Sequence, residues 1–164
     1  MGTDYSQLFE MGKRTLCFDS GKSSLLCRET ESGKNLWIKK IDDITGIDNL
    51  IEDSTLYYVA CERDDIHGYY LALEKSTGPT AWFIPGKAYF QVIFDSHLYL
   101  IFTDMEKDYY LIKVDRSTGK KVWHHRVNDD LCEYSFRSDR ILLKYASGKT
   151  ESIVPATGSV RRNN

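Results

Sequence analysis

The 164-residue sequence contains only three prolines, and its four cysteines, at positions 17, 27, 61 and 132, form no Cys-x-x-Cys pair. That spacing offers neither a structural zinc site nor a thioredoxin-like redox motif. Four small, reduced, mostly buried side chains are expected instead. No apolar run approaches the roughly 20 residues that a bilayer-spanning helix needs; the longest lie at 56–61 and 98–102. Residues Met1 to Arg14 lack the apolar core of a signal peptide, so a cytoplasmic protein without membrane contacts is expected. A basic excess is also missing. With a net charge of −2, the chain is not expected to grip nucleic acid through its phosphates. There is no Gly-x-Ser-x-Gly elbow and no His-Glu-x-x-His, and Gly21-Lys22-Ser23 lacks the upstream glycine of a phosphate loop. No segment of useful length carries helical periodicity.

What is present favours strands. Hydrophobic residues make up 41% of the chain and charged residues 28%, and there are eleven tyrosines, a composition suited to a folded globular protein rich in β-structure. The sequence also repeats. Ser32-Gly33-Lys34-Asn35-Leu36-Trp37 matches Thr77-Gly78-Pro79-Thr80-Ala81-Trp82 and Thr118-Gly119-Lys120-Lys121-Val122-Trp123. A degenerate fourth copy, Thr157-Gly158-Ser159-Val160-Arg161-Arg162, has Arg162 where tryptophan is expected. The glycines recur every 39–45 residues, the length of one four-stranded propeller blade. Short β-rich runs precede each glycine in register, among them Leu56-Tyr57-Tyr58-Val59 and Tyr70-Leu71-Ala72-Leu73, and tight polar turns separate them. The sequence therefore predicts an all-β protein: a β-propeller domain over 1–164, with four four-stranded antiparallel blades at about 3–41, 44–86, 89–127 and 131–164. The Ser/Thr-Gly pair makes the turn between the third and fourth strands of each blade, where glycine supplies a positive φ.

The pattern acidic-x-x-Ser/Thr-Gly-Lys-x-x-Trp, best seen over Asp115–Trp123, resembles the repeat of quinoprotein-like (PQQ-type) β-propellers, from about Met11 to Asn164. The resemblance implies an architectural role for Trp37, Trp82 and Trp123, each docking between adjacent blades, and for the turn glycines Gly33, Gly78, Gly119 and Gly158. The quinoprotein enzymes of that family have about eight blades and a cofactor in a central funnel; four repeats and the lack of an evident ligand set imply no cofactor here. Two closures fit four repeats. The chain closes as a compact four-bladed ring, or two chains pair as halves of an eight-bladed homodimer. A half-ring is expected to leave an apolar blade face at each end, which would force pairing.

No catalytic or metal-binding set emerges. His97 lies in a turn where other repeats hold unrelated residues, and His67 lies in the longest loop. The neighbours His124 and His125 point to opposite faces of one strand and are not expected to share a metal. The propeller register places two sets of connections on one face, and these are rich in acids: Asp42 and Asp43, Asp64 and Asp65, Asp104 with Glu106, and Asp129 with Asp130. The opposite turns are basic, whereas Arg63, Lys107, Lys39, Lys40 and Lys87 dilute the acidic face. The loop from Glu62 to Gly68 is longer than its counterparts, and length variation on one face of a repeat fold is where specificity resides. The expected function is a non-enzymatic interaction module that binds a protein partner through the acidic loops. The alternatives are a small-ligand or cation-binding propeller that uses its channel and, last, a quinoprotein-type enzyme.

Overall fold

A computed structural model describes residues 5–104 and 106–161. Every named element in it is a strand. The first blade comprises β1 (Gln7–Met11), β2 (Arg14–Asp19), β3 (Ser24–Glu29) and β4 (Asn35–Lys40). The second comprises β5 (Gly46–Glu52), β6 (Leu56–Glu62), β7 (Gly68–Glu74) and β8 (Thr80–Pro85). The third comprises β9 (Lys87–Phe94), β10 (His97–Thr103), β11 (Tyr109–Val114) and β12 (Lys121–Val127). The fourth has three strands, β13 (Leu131–Phe136), β14 (Ile141–Tyr145) and β15 (Thr150–Ile153). In each sheet the strands lie in chain order as an antiparallel meander. Among the described residues the outer position of the fourth blade is a bridge between Ile153 and Val160. The run Ser159-Val160-Arg161-Arg162 has no alternating apolar residues to pack a full strand. Arg162 itself lies outside the described residues.

The turn that ends each third strand is the same in all four blades. Gly33, Gly78, Gly119 and Gly158 donate their N–H groups to the carbonyls of Glu29, Glu74, Asp115 and Val154 at 2.8–2.9 Å. Their φ angles, 72°, 88°, 74° and 74°, lie in the left-handed region that favours glycine. A register shift follows between the third and fourth strands of the first three blades. It leaves Leu36, Ala81 and Val122, the residues just before each tryptophan, without a cross-strand partner. Such bulges re-aim the next side chain, and here the next side chain is the indole.

The chain divides into two compact units, residues 1–89 and 90–164. In the first, Leu16, Phe18, Leu25, Cys27 and Trp37 of the first blade pack with Tyr57, Val59, Cys61, Leu71 and Leu73 of the second. In the second, Tyr99, Ile101, Leu111 and Trp123 of the third blade pack with Ile141, Leu143, Tyr145 and Ile153 of the fourth. The indole seals each contact. Trp37 Nε1 donates to the Lys75 carbonyl at 2.8 Å, and Trp123 Nε1 to the Pro155 carbonyl at 2.8 Å. In both cases the acceptor lies three residues before the turn glycine. A Cβ on Gly78 would stand 2.5 Å from the Trp37 ring, and one on Gly158 2.5 Å from the Trp123 ring. Each bare glycine is therefore required by the ring lying on it. Trp82 is 8% exposed and packs against Tyr58 and Tyr70 of its own blade.

The face of each terminal blade opposite its indole contact is more polar than the contact face, although Thr15, Cys17 and Leu26 on that face of the first blade are buried. Cross-strand partners share a face, so the first-blade face turned away from the second blade carries Thr15, Cys17, Leu26 and Arg28. At the Thr15 and Arg28 positions the second blade has Tyr57 and Leu73, both buried. The fourth-blade face turned away from the third carries Leu142, Lys144, Thr150 and Ser152, where the first blade buries Leu16, Phe18, Leu25 and Cys27.

Candidate functional site

The longest loop, Glu62 to Gly68, is built around one carboxylate. Asp64 Oδ1 accepts from the backbone N–H groups of Ile66 (2.9 Å) and His67 (2.7 Å), and Asp64 Oδ2 lies 2.7 Å from His67 Nδ1. The backbone bond from Ile66, followed by the side-chain bond from His67, holds the Asp64 carboxyl down at about 2. Aspartate favours such turns because its side chain can replace a backbone acceptor two or three residues away.

From beneath, the loop is pinned by Lys87, the first residue of β9, whose side chain is 7% exposed. Its ammonium donates to the carbonyls of Asp64 (3.0 Å) and Asp65 (3.1 Å), lies 3.5 Å from Glu62 and 4.0 Å from Asp48, and stands 5.0 Å from the centre of the Tyr89 ring. Asp48 is the extra residue at a second bulge, between Ile47 and Asn49 of β5. Burial, together with a hydrogen bond to Glu62 and that residue's charge, raises the Asp48 carboxyl to about 6. The same hydrogen bond holds Glu62 below its ordinary value. One ammonium thus faces two carboxyl groups that share a proton.

The acids read from the sequence fall into two groups. Several are engaged locally. Asp43 pairs with Arg63 at 3.2 Å, and the Asp42 carbonyl accepts from Tyr69 Oη at 2.5 Å. Asp130 Oδ2 caps the Ser147 N–H at 3.0 Å. Asp104 Oδ1 accepts from the N–H groups of Glu106 and Asp108, and Asp108 pairs with Arg126 at 2.8 Å. The carboxylates of Asp104, Glu106 and Asp108 do converge within 4.8 Å, but two of the three are already committed. The second group, the side chains of Asp65, Glu106 and Asp129, points into solvent without an ion pair among the described residues. Asp65 is held in place through its carbonyl, which accepts from Lys87 and from Tyr89 Oη at 2.8 Å. The Tyr89 ring is 43% exposed.

The histidines separate as strand geometry requires. His124 lies edge-on to Tyr110 at 5.6 Å, whereas His125 Nε2 points the other way and lies 3.2 Å from Glu151 Oε2. Glu151 also accepts from Tyr145 Oη. Burial alone would raise the Glu151 carboxyl, but the bonds from Tyr145 and His125 outweigh it and hold it below its usual range. All four cysteines are free, three of them buried and Cys132 exposed. Sequence reading missed the roles of Lys87, Asp48 and Glu151, each of which depends on a contact across strands that no local spacing encodes.

No family model matches the chain, and no curated protein matches it. Solved structures do. The computationally designed Ika8 protein matches at a TM-score of 0.65 and 12% identity, over 98% of this chain and 48% of that one. The designed Ika4 protein matches at 0.62 and 9%, over 94% and 92%. Quinohemoprotein alcohol dehydrogenase from Comamonas testosteroni matches at 0.63 and 13%, over 95% and 34%. The chain thus spans about half the length of Ika8 and a third of the dehydrogenase. At these identities the likeness concerns architecture alone: the fold is that of a β-propeller.

Proposed function

We propose that the chain is a non-enzymatic propeller module that binds a basic segment of a protein partner through the loop surface of its second blade. One observation carries this reading. The Glu62–Gly68 loop is fixed from within by Asp64 and Lys87, while the Asp65 carboxylate and the Tyr89 ring beside it face solvent. Preorganisation lowers the ordering cost of association, and tyrosine next to an unpaired charge is a composition that interfaces favour. Asp42 and Asp43 border the same loop through Tyr69 and Arg63 and extend the acidic character. Most of the remaining loop acids and His67 are occupied in turn formation, which supports a binding role over catalysis.

The test is capture from native lysate by the full chain and by Asp65→Lys and Tyr89→Ala variants, at low and high salt. A partner held by the native chain should be released by salt and lose at least about tenfold in affinity in each variant. Stability in denaturant melts should stay within the range of ordinary surface substitutions, about 0.5 kcal/mol. Undiminished binding by both variants would remove this surface from consideration.

A further inference from the structure

We propose that the proton held between Asp48 and Glu62 is a latch on the Glu62–Gly68 loop: with the proton in place Lys87 holds the loop tip, and without it that grip is divided. As regulation of the loop surface, this rests on that surface being the one that binds, whereas the latch itself is read without a partner.

The latch follows from a count of donors. A lysine ammonium has three N–H groups. Four oxygens surround that of Lys87: the carbonyls of Asp64 and Asp65 at 3.0 and 3.1 Å, Glu62 Oε1 at 3.5 Å and Asp48 Oδ2 at 4.0 Å. While Asp48 is a neutral acid hydrogen-bonded to Glu62, the pair carries one charge, and three donors meet three claims. Once Asp48 ionises, a second carboxylate competes for the same cation. Only 7% of the Lys87 side chain is exposed, so weak screening strengthens both that attraction and the repulsion between the two carboxylates. A neutral carbonyl is the weaker acceptor and gives way. That of Asp65 yields at least cost, because Tyr89 Oη still donates to it at 2.8 Å. The loop tip then hangs on Tyr89 where it had been clamped by the cation.

The ends of the loop are fixed by other means, so the response is local. Thr45 N–H donates to the Glu62 carbonyl at 2.8 Å, and Gly86 N–H donates to the Gly68 carbonyl at 3.1 Å. The direction follows from Asp48. Burial first, then the hydrogen bond to Glu62 and its charge, raise the Asp48 carboxyl to about 6. The latch is therefore closed in mild acid and opens as pH rises through 6. The neighbouring groups are constant or separable. Burial pushes the Cys61 thiol and the Tyr69 hydroxyl far above neutrality. Asp64 is held at about 2, Arg63 is paired with Asp43, and the Asp65 carboxylate points into solvent. From β1 the bulge is reached through Gln7, which is uncharged and bonds to Ile47 at both its amide atoms. Histidine is the side chain that ordinarily changes charge near neutrality; His67, 2.7 Å from Asp64, is therefore replaced in the test.

The test is carbon-13 NMR of the labelled full chain in a His67→Gln background, titrated between pH 4 and 8. The carbonyl signals of Asp64 and Asp65 should move together with the Asp48 carboxyl, with a midpoint near pH 6. Asp48→Asn, which keeps a donor to Glu62, should leave both carbonyls flat. Glu62→Gln removes the facing charge and should shift the midpoint to lower pH. Flat carbonyls while Asp48 titrates would overturn the proposal. So would a response that survives Asp48→Asn, or a midpoint that Glu62→Gln leaves in place. No partner enters the measurement, so failure of the capture test and failure of the latch are read separately.

Discussion

The two units close their blade contacts with the same indole-to-carbonyl bond, 2.8 Å in each, and yet the residues beside that bond are chemically opposite. Two positions after the tryptophan and seven before the turn glycine, the first unit has Lys39 and Leu71, and the second has His125 and Glu151. Leu71 is buried in an apolar cluster. Glu151 bridges His125 and Tyr145 between the blades. The bond and the bare glycine are thus the fixed requirements of the contact. The surrounding pairs vary, apolar at Leu71 in the first unit and ionic at His125 and Glu151 in the second.

The sharpest way to test this equivalence is to remove the indoles. Trp37→Ala and Trp123→Ala should each cost about 3–5 kcal/mol of stability in denaturant melts, the usual range for a buried large aromatic. A large loss in only one variant would show that the two contacts are not equivalent. Next in size is the glycine comparison. Gly78→Ala combines a positive φ with a Cβ 2.5 Å from the Trp37 ring and should cost about 2–4 kcal/mol. Gly33→Ala has the φ without the collision and should cost about 1–2 kcal/mol. Equal costs would mean that the ring does not require the bare glycine.

The smallest expected effect is in the pH dependence, where Asp48 of the first unit and Glu151 of the second should respond in opposite directions. Asp48 binds its proton more tightly when folded, with its carboxyl at about 6. Its contribution is therefore complete below its unfolded value of about 3.9 and is lost as pH rises through 6. Glu151 is held low, so its contribution is present above its unfolded value of about 4.3 and is lost as pH falls through the lower folded value. Urea midpoints measured from pH 3 to 8 should show Asp48→Asn flattening the decline between pH 4 and 6. Glu151→Gln should flatten the loss at the acid end. If either variant altered the other's window, the assignment of the groups would be wrong.

The architecture was legible because its signals repeat. Gly33, Gly78, Gly119 and Gly158 punctuate the chain at blade length, and three tryptophans stand at one fixed offset. The degeneracy of the fourth repeat was legible in its lost tryptophan, whereas the Ile153–Val160 bridge at its outer position had to be seen. The loop surface was legible only as a surplus of acid. Lys87 read as a dilution of that charge, whereas it is the cation that holds the loop. Its partners Asp48 and Glu62 lie far off in sequence and meet it only through a bulge. The polarity of the end faces also stayed hidden until strand register showed that Thr15 and Arg28 occupy the positions of Tyr57 and Leu73.

The indole bond has a consequence for how the chain is made. It joins residues 38 apart in the first unit and 32 apart in the second, so each tryptophan leaves the ribosome before its acceptor does. At about 5–20 residues per second, Trp37 waits roughly 2–8 s for the turn that receives it. During that interval the first blade has its hairpins but an uncovered apolar side, and chaperones can reach it. A translational pause between residues 37 and 75 should prolong that exposure more than the same pause placed within a blade's own hairpins.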